Sequence, residues 1–140
     1  LPPKDFQKWA VICEHVIKHY NEGWADGFHW DIDYWEIWNE PDLDPDDSDN
    51  KRTWGGTAAE FYTFYAVAAR HLKSRFPHLK IGGPALAGQT GKWLDGFLAS
   101  LTENGGRVPL DFFSWHIYTT DPKRIIEMAN VIREKLNRRI

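Results

Sequence analysis

The residues with the clearest chemical potential are Asn39 and Glu40, which lie directly before Pro41. The aromatic run from Tyr34 to Trp38 that precedes them predicts a β-strand. Pro41 cannot donate to a sheet and restricts the residue before it, so we expect the strand to end here. A carboxylic acid can protonate a leaving oxygen and an amide can hold a hydroxyl group, which together suit sugar chemistry. The competing interpretation is a buried strand followed by an ordinary polar turn.

Seven predicted elements position these two residues. Apolar residues at helical spacing predict helices near residues 5–20, 57–76, 92–103 and 122–138. Short apolar and aromatic runs predict strands near residues 34–39, 79–85 and 110–118. Strands that alternate with helices indicate an α/β fold with a parallel sheet, and a length of 140 residues fits a single unit over residues 1–140.

The parallel arrangement brings candidate functional residues together. The C-terminal ends of parallel strands lie at one edge, where α/β barrels place their chemistry. We therefore expect Asn39 and Glu40 to lie near His116 and Tyr118, which end the third strand. A histidine on an apolar strand is usually a core residue, but a carboxylate at the same edge favours a place for His116 in the site.

Eight tryptophans are more than a core of this size needs. Indole faces are good platforms for sugar rings, so Trp38 and Trp115 are candidate substrate-binding residues, with core packing as the alternative. The net charge of −3 and the absence of a basic stripe argue against nucleic acid as a partner. No apolar run is long enough for a membrane span, so we expect no membrane partner.

Five aspartates lie between Asp42 and Asp49, in a loop that begins like a calcium-binding loop. The sixth position is Asp47 instead of glycine and the twelfth is Thr53 instead of glutamate, so the EF-hand pattern fails. A solvated acidic loop is the favoured interpretation, with a bound cation as the alternative.

Four sequence blocks, in this order and spacing, resemble glycoside hydrolase family 39. They are Trp-Glu-Ile-Trp-Asn-Glu-Pro-Asp at 35–42, Trp-Gly-Gly-Thr at 54–57, Lys-Ile-Gly-Gly-Pro-Ala at 80–85 and Asp-Phe-Phe-Ser-Trp-His-Ile-Tyr at 111–118. The best-known members of this family are β-xylosidases, which are retaining enzymes built on (β/α)8 barrels. The resemblance implies a partial TIM barrel that contains strands four to six with their helices.

The resemblance also implies roles for individual residues. Glu40 resembles the general acid/base, and Asn39 resembles the amide that contacts the sugar 2-hydroxyl group. His116 and Tyr118 resemble the pair that lines the catalytic subsite. The family's nucleophile is a second glutamate after strand seven, and no such strand is evident, so we expect a fragment that is inactive alone. The resemblance implies a carbohydrate substrate and requires no cofactor or metal.

Two alternatives remain open at this point. The chain could be a carbohydrate-binding or pseudoenzyme module without hydrolysis, or it could come from a sister family of the same clan, such as cellulases or arabinofuranosidases. Three parallel strands also leave two unpaired edges and an uncovered interior face. We therefore expect a homo-oligomer in which a partner copy covers barrel-facing residues such as Trp38 and Trp115.

Overall fold

The computed structural model describes residues 1–88, 91–102 and 106–139 and shows four helices and a three-stranded parallel sheet. The elements, in chain order, are α1 (Phe6–Asn21), β1 (Tyr34–Glu36), α2 (Ala58–Arg75), β2 (Lys80–Leu86), α3 (Lys92–Ser100), β3 (Phe112–Trp115) and α4 (Pro122–Arg139). The strands lie in the order β1-β2-β3. The α/β class and the number of strands and helices are confirmed. The predicted end of the third helix, near residue 103, lies outside the described residues.

Helix α2 is the central helix of the core. It begins with a capping box in which the Thr57 hydroxyl accepts from the Glu60 amide and the Glu60 carboxylate accepts from the Thr57 amide. It packs against α1, β2 and α3, while α4 packs against α3. Its fully buried side chains are mostly aromatic and small: Phe61, Phe64, Tyr65, Ala68 and Ala69. Within the described ranges, no helix combines the length and apolar character needed to cross a bilayer.

The first and third strands are shorter than predicted. β1 ends at Glu36 because the chain turns at Trp38, which adopts a left-handed backbone conformation with φ of 70°. The Ile37 amide still donates to the Gly82 carbonyl at 2.9 Å, so the chain stays beside β2 after the regular ladder ends. The third strand covers residues 112–115 instead of 110–118, and a register irregularity interrupts its pairing with β2.

Gly82 permits the close approach of β3 to β2. A Cβ atom built on Gly82 would lie 2.2 Å from the Phe112 carbonyl oxygen and 2.6 Å from the Phe112 ring. Any larger residue would therefore push the two strands apart. The glycine is structural, and it helps to bring the ends of β2 and β3 to the same edge of the sheet.

A buried carboxylate ties α1 to α2. Glu14 is 6% exposed, and its oxygens contact Lys18 Nζ at 2.6 Å, His71 Nε2 at 2.8 Å and Arg75 Nε at 3.1 Å. The hydrogen bond from Lys18 is the main cause that lowers the pKa of Glu14 to about 2; burial opposes it, and His71 and Arg75 add to it. The ionised carboxylate is therefore more stable in the folded chain than in the unfolded one.

Replacement of this carboxylate is expected to destabilise the fold in a pH-dependent way. The pKa of Glu14 is lower in the folded chain than in the unfolded one. The ionised carboxylate therefore contributes its full stabilisation to the folded state above the unfolded pKa of about 4.3, and this stabilisation is lost as the pH falls towards 2. We expect Glu14→Gln to cost about 1–3 kcal/mol at pH 7 in urea unfolding, and the difference from the wild type to shrink near pH 2. Glu134→Gln is the matched control, since its contact with Arg138 is 3.6 Å long and exposed. An equal Glu14→Gln effect at both pH values would contradict this prediction.

Candidate active site

Glu40 and His116 come together at the C-terminal edge of the sheet. The distance between Glu40 Oε1 and His116 Nδ1 is 2.7 Å, although the two residues are 76 positions apart. The side chain of Glu40 is 18% exposed and that of His116 is 36% exposed. Glu40 follows β1 and His116 follows β3, and these two strands lie on opposite sides of β2. The parallel sheet therefore brings the two side chains to the same edge. The site therefore holds a carboxyl group that is partly shielded from water but still accessible.

The backbone of Glu40 is held in an unusual conformation. Its φ of 49° lies in the left-handed region, which costs a residue with a side chain about 1–3 kcal/mol. Its amide donates to the Ala85 carbonyl at 3.0 Å, and its carbonyl accepts from the Leu43 amide at 3.1 Å. The Thr53 hydroxyl also donates to the Glu40 carbonyl. These contacts, on both sides of the residue, stabilise the conformation that directs the carboxyl group towards His116.

Asn39 is exposed beside this pair. It lines a shallow open depression together with Glu36, Trp38 and Thr53. An exposed amide next to a carboxyl group provides a donor and an acceptor for neighbouring hydroxyl groups of one ligand.

The two candidate tryptophans lie mainly against the core. Trp38 makes edge-on contact with Trp54 and Phe64, with ring centroids 5.3 and 5.4 Å apart, and its indole N–H donates to the Thr53 carbonyl at 3.3 Å. Trp115 is half-buried and also packs against the core. Each nevertheless lines a surface depression, Trp38 beside Asn39 and Trp115 beside His116.

Tyr118 is almost fully exposed. Its exposed fraction is 94%, and it lines the same open depression as Trp115, His116 and Ile117. The structure therefore places Tyr118 at the edge of the site, within the segment that follows β3, and directs its ring into solvent.

The carboxylates of the acidic loop, residues 41–56, accept hydrogen bonds from different parts of the chain. Asp42 accepts from the amides of Ala87 and Gly88 at 2.9 and 2.6 Å, which joins the loop to the segment after β2. Asp44 accepts from Arg52, whose side chain and amide lower the pKa of this carboxyl group. Over residues 1–88, 91–102 and 106–139, no group of three or more histidine, cysteine or acidic side chains could hold a metal ion. Asp42 thus ties the loop to the segment after β2, and Asp44 ties two parts of the loop together.

The family model of glycosyl hydrolases family 39 matches residues 1–137. The chain belongs to this family. The resemblance in the four sequence blocks is therefore confirmed, and the three strands and four helices form part of the family 39 fold.

Two β-xylosidases and a glucosidase share substantial identity with this chain. The chain is 38% identical to a β-xylosidase of Geobacillus stearothermophilus over an alignment of 122 residues that covers 85% of the chain. It is 34% identical to a β-xylosidase of Caldicellulosiruptor saccharolyticus over an alignment of 122 residues that covers 86% of the chain. A glucosidase structure from Croceicoccus marinus superposes with a TM-score of 0.82 and 34% identity over 98% of the chain. The chain spans about 22% of the length of each β-xylosidase and 28% of the glucosidase chain.

Sequence reasoning missed three residues that shape the candidate site. Thr53 and Asp42 fasten the acidic loop around Glu40, and the Ser114 hydroxyl accepts from the Ala85 amide at 2.9 Å, beside the register irregularity of the sheet. Thr53 directly precedes the Trp-Gly-Gly-Thr block, which was a signal that this part of the loop is constrained. Asp42 ends the first sequence block and is the first aspartate of the acidic loop, and Ser114 lies within the fourth block, but neither pattern indicated the hydrogen bonds that they make.

Proposed function

We propose that this chain supplies the general acid/base of a retaining glycoside hydrolase that acts on β-xylosides. The observation that carries the proposal is the 2.7 Å contact between Glu40 and His116 at the C-terminal edge of the sheet. Membership of family 39 and identity with two β-xylosidases support it. The chain covers only a fraction of those enzymes, so the activity is proposed for a longer assembly that includes it.

In the proposed chemistry the two carboxyl oxygens of Glu40 have different roles. Oε1 contacts His116, so Oε2 is the oxygen that we propose faces the glycosidic oxygen. In the first step the Glu40 proton moves to that oxygen as its bond to the anomeric carbon breaks and a nucleophilic carboxylate bonds to the same carbon. In the second step the Glu40 carboxylate takes a proton from the water that attacks the anomeric carbon, and the nucleophilic carboxylate leaves. His116 orients the carboxyl group in both steps.

The proposed nucleophile is a carboxylate from outside these 140 residues. A retaining enzyme needs two carboxyl groups about 5–5.5 Å apart. Glu36 lies within β1, Asp42 is engaged by two amides, and Asp111 is paired with Lys73 at 2.8 Å at the other end of β3. We therefore propose that the isolated chain does not hydrolyse glycosides.

Five residues near Glu40 are proposed substrate contacts with different roles. The exposed amide of Asn39 is suited to a sugar hydroxyl group, and Tyr118 is suited to close over the sugar from the rim. His116 contacts both Glu40 and the open depression beside Trp115. Trp38 and Trp115 present only part of each indole to a depression, so we assign them the floor of the site.

A chimeric enzyme tests this proposal directly. The matching 85% of this chain would replace the corresponding part of the Geobacillus stearothermophilus β-xylosidase, and release of xylose from aryl β-xylosides would be measured. We expect the chimera to be active and the isolated chain to be inactive. A folded chimera that binds xylosides without hydrolysis would instead favour the binding-module alternative. Because a glucosidase structure is also similar, aryl β-glucosides belong in the same assay.

We also propose that the isolated chain self-associates through its sheet. In the part of the chain that the structure describes, β1 and β3 are the two edges of the sheet, and each pairs with β2 alone. Tyr34 on β1 is 63% exposed, and Tyr118 after β3 is 94% exposed. An open strand edge beside exposed aromatic rings is a template for a second copy of the chain.

We expect dimers or larger species in light scattering at micromolar concentration. Tyr34→Lys places a charge on the β1 edge, where it is expected to raise the monomer fraction. Ile126→Lys is the matched comparison, because Ile126 is 62% exposed and lies on helix α4 instead of on an edge strand. A wild-type monomer would refute the proposal, and dissociation by Ile126→Lys alone would show that copies meet through α4 instead.

A further inference from the structure

We infer that Thr53 is a positioning residue for Glu40: its hydroxyl fixes the Glu40 peptide and thereby the direction of the carboxyl group towards His116. The inference rests on the proposed function, because it gives the acidic loop a role in the acid/base step. Thr53 is half-buried, and its hydroxyl donates to the Glu40 carbonyl. The loop therefore contacts Glu40 through its backbone and leaves the carboxyl group open.

The left-handed backbone of Glu40 makes this contact important. Strand β2 holds only the amide side of the residue, through the Ala85 carbonyl. The carbonyl side is held by the Leu43 amide and the Thr53 hydroxyl, and Thr53 is the one side chain among these three partners. Loss of that donor would free the peptide to rotate out of an otherwise unfavourable conformation.

Thr53 is itself held from two directions. Its neighbour Arg52 makes hydrogen bonds of 2.7 and 3.0 Å to Asp44 through its guanidinium group, and the Arg52 amide donates to the same carboxylate at 2.7 Å. On the other side the Thr53 carbonyl accepts from the Trp38 indole at 3.3 Å. Trp38 lies in the turn that leads to Glu40, so the loop and the turn hold each other in place.

The contact between Glu40 and His116 should report any movement of this peptide. Both residues follow strands, but the two strands are separated by β2, and the distance of 2.7 Å leaves little tolerance for a shift. A small rotation at the Glu40 backbone would lengthen this hydrogen bond. The Nδ1 atom of His116 would then lose its contact with the carboxylate, which changes its electronic environment.

The test uses ¹⁵N NMR of the His116 ring in the 140-residue chain at fixed pH. Glu40→Gln gives the reference shift for loss of the carboxylate. Thr53→Val keeps the shape and removes the donor, whereas Thr53→Ser keeps the donor. Thr63→Val is the matched control, because the Thr63 hydroxyl makes a local bond to Ala59 on the exposed face of α2.

We expect Thr53→Val to produce most of the Glu40→Gln shift at His116 Nδ1, while Thr53→Ser and Thr63→Val stay at the wild-type position. A Thr53→Val spectrum that matches Thr63→Val would overturn the inference. If Thr53→Val does not fold, Asp44→Asn loosens the same loop from the Arg52 side and is expected to shift His116 Nδ1 in the same direction. An unchanged Asp44→Asn spectrum would then overturn it. An inactive chimera would count against the proposed function alone, because this measurement requires no hydrolysis.

Discussion

Glu40→Gln is expected to lower kcat/KM for methyl or phenyl β-xyloside by about 10²–10⁴-fold in the active chimera, the usual contribution of general acid–base catalysis. Glutamine keeps the shape of the side chain but has no proton to give to a poor leaving group. The glycosidic oxygen must then leave as an alkoxide or phenoxide, which raises the barrier of the first step. Steady-state kinetics with the two substrates measures the loss.

The leaving group separates proton donation from other roles of Glu40. A strongly acidic phenol, such as 2,4-dinitrophenol, departs without protonation, so kcat/KM for its β-xyloside should fall far less in Glu40→Gln. The turnover number should still fall for this substrate, because the second step needs the carboxylate as a base. Accumulation of the glycosyl–enzyme intermediate, seen by mass spectrometry, would accompany that change.

Glu127→Gln is the control for this experiment. Glu127 is exposed on α4, and the same change of group there removes one carboxylate from the surface of that helix. We expect wild-type kinetics with every leaving group. Equal losses for good and poor leaving groups in Glu40→Gln would show that Glu40 serves binding or folding, and the acid/base assignment would be withdrawn.

The pair at the centre of this site could be predicted because it depends on topology. Helical and strand periodicities in the sequence establish the alternation of elements, and parallel strands bring their C-terminal ends to one edge. The expectation that Glu40 and His116 lie together therefore required no knowledge of loops. Their 2.7 Å contact confirms that they are neighbours, while their catalytic roles remain predictions.

The acidic loop could not be predicted in the same way. Its aspartates share a sequence pattern, but they accept hydrogen bonds from different parts of the chain. Asp42 accepts from the amides of Ala87 and Gly88. Asp44 accepts from the Arg52 guanidinium group, and Asp46 accepts from the first amide of α2. Asp42 bonds to residues 45 and 46 positions away, and no periodicity encodes such a contact. The left-handed turn at Trp38 was missed for a different reason: aromatic residues favour strands, so the sequence pattern predicted that β1 continues through this residue.

The largest stability effect is expected for Phe64→Ala. Phe64 on α2 is fully buried, and its ring is edge-on to Trp9 at 4.7 Å and to Trp38 at 5.4 Å. Loss of the ring leaves a cavity among aromatic groups that cannot easily collapse, which costs about 3–5 kcal/mol. That is a large share of the roughly 5–15 kcal/mol that stabilises a typical domain. Unfolding in urea, followed by tryptophan fluorescence, measures the change.

This substitution also tests how the core supports the site. Trp38 contacts Phe64 on one side and leads directly to Asn39 and Glu40 on the other. Phe28→Ala is the matched control, because Phe28 is 42% exposed and packs at the surface, stacked with Tyr20 and Trp30 and edge-on to His19. A cost for Phe64→Ala no larger than that for Phe28→Ala would contradict the prediction. If the prediction holds, residual folded Phe64→Ala should also show a displaced His116 ¹⁵N signal, since the turn that presents Glu40 would have lost its support from α2.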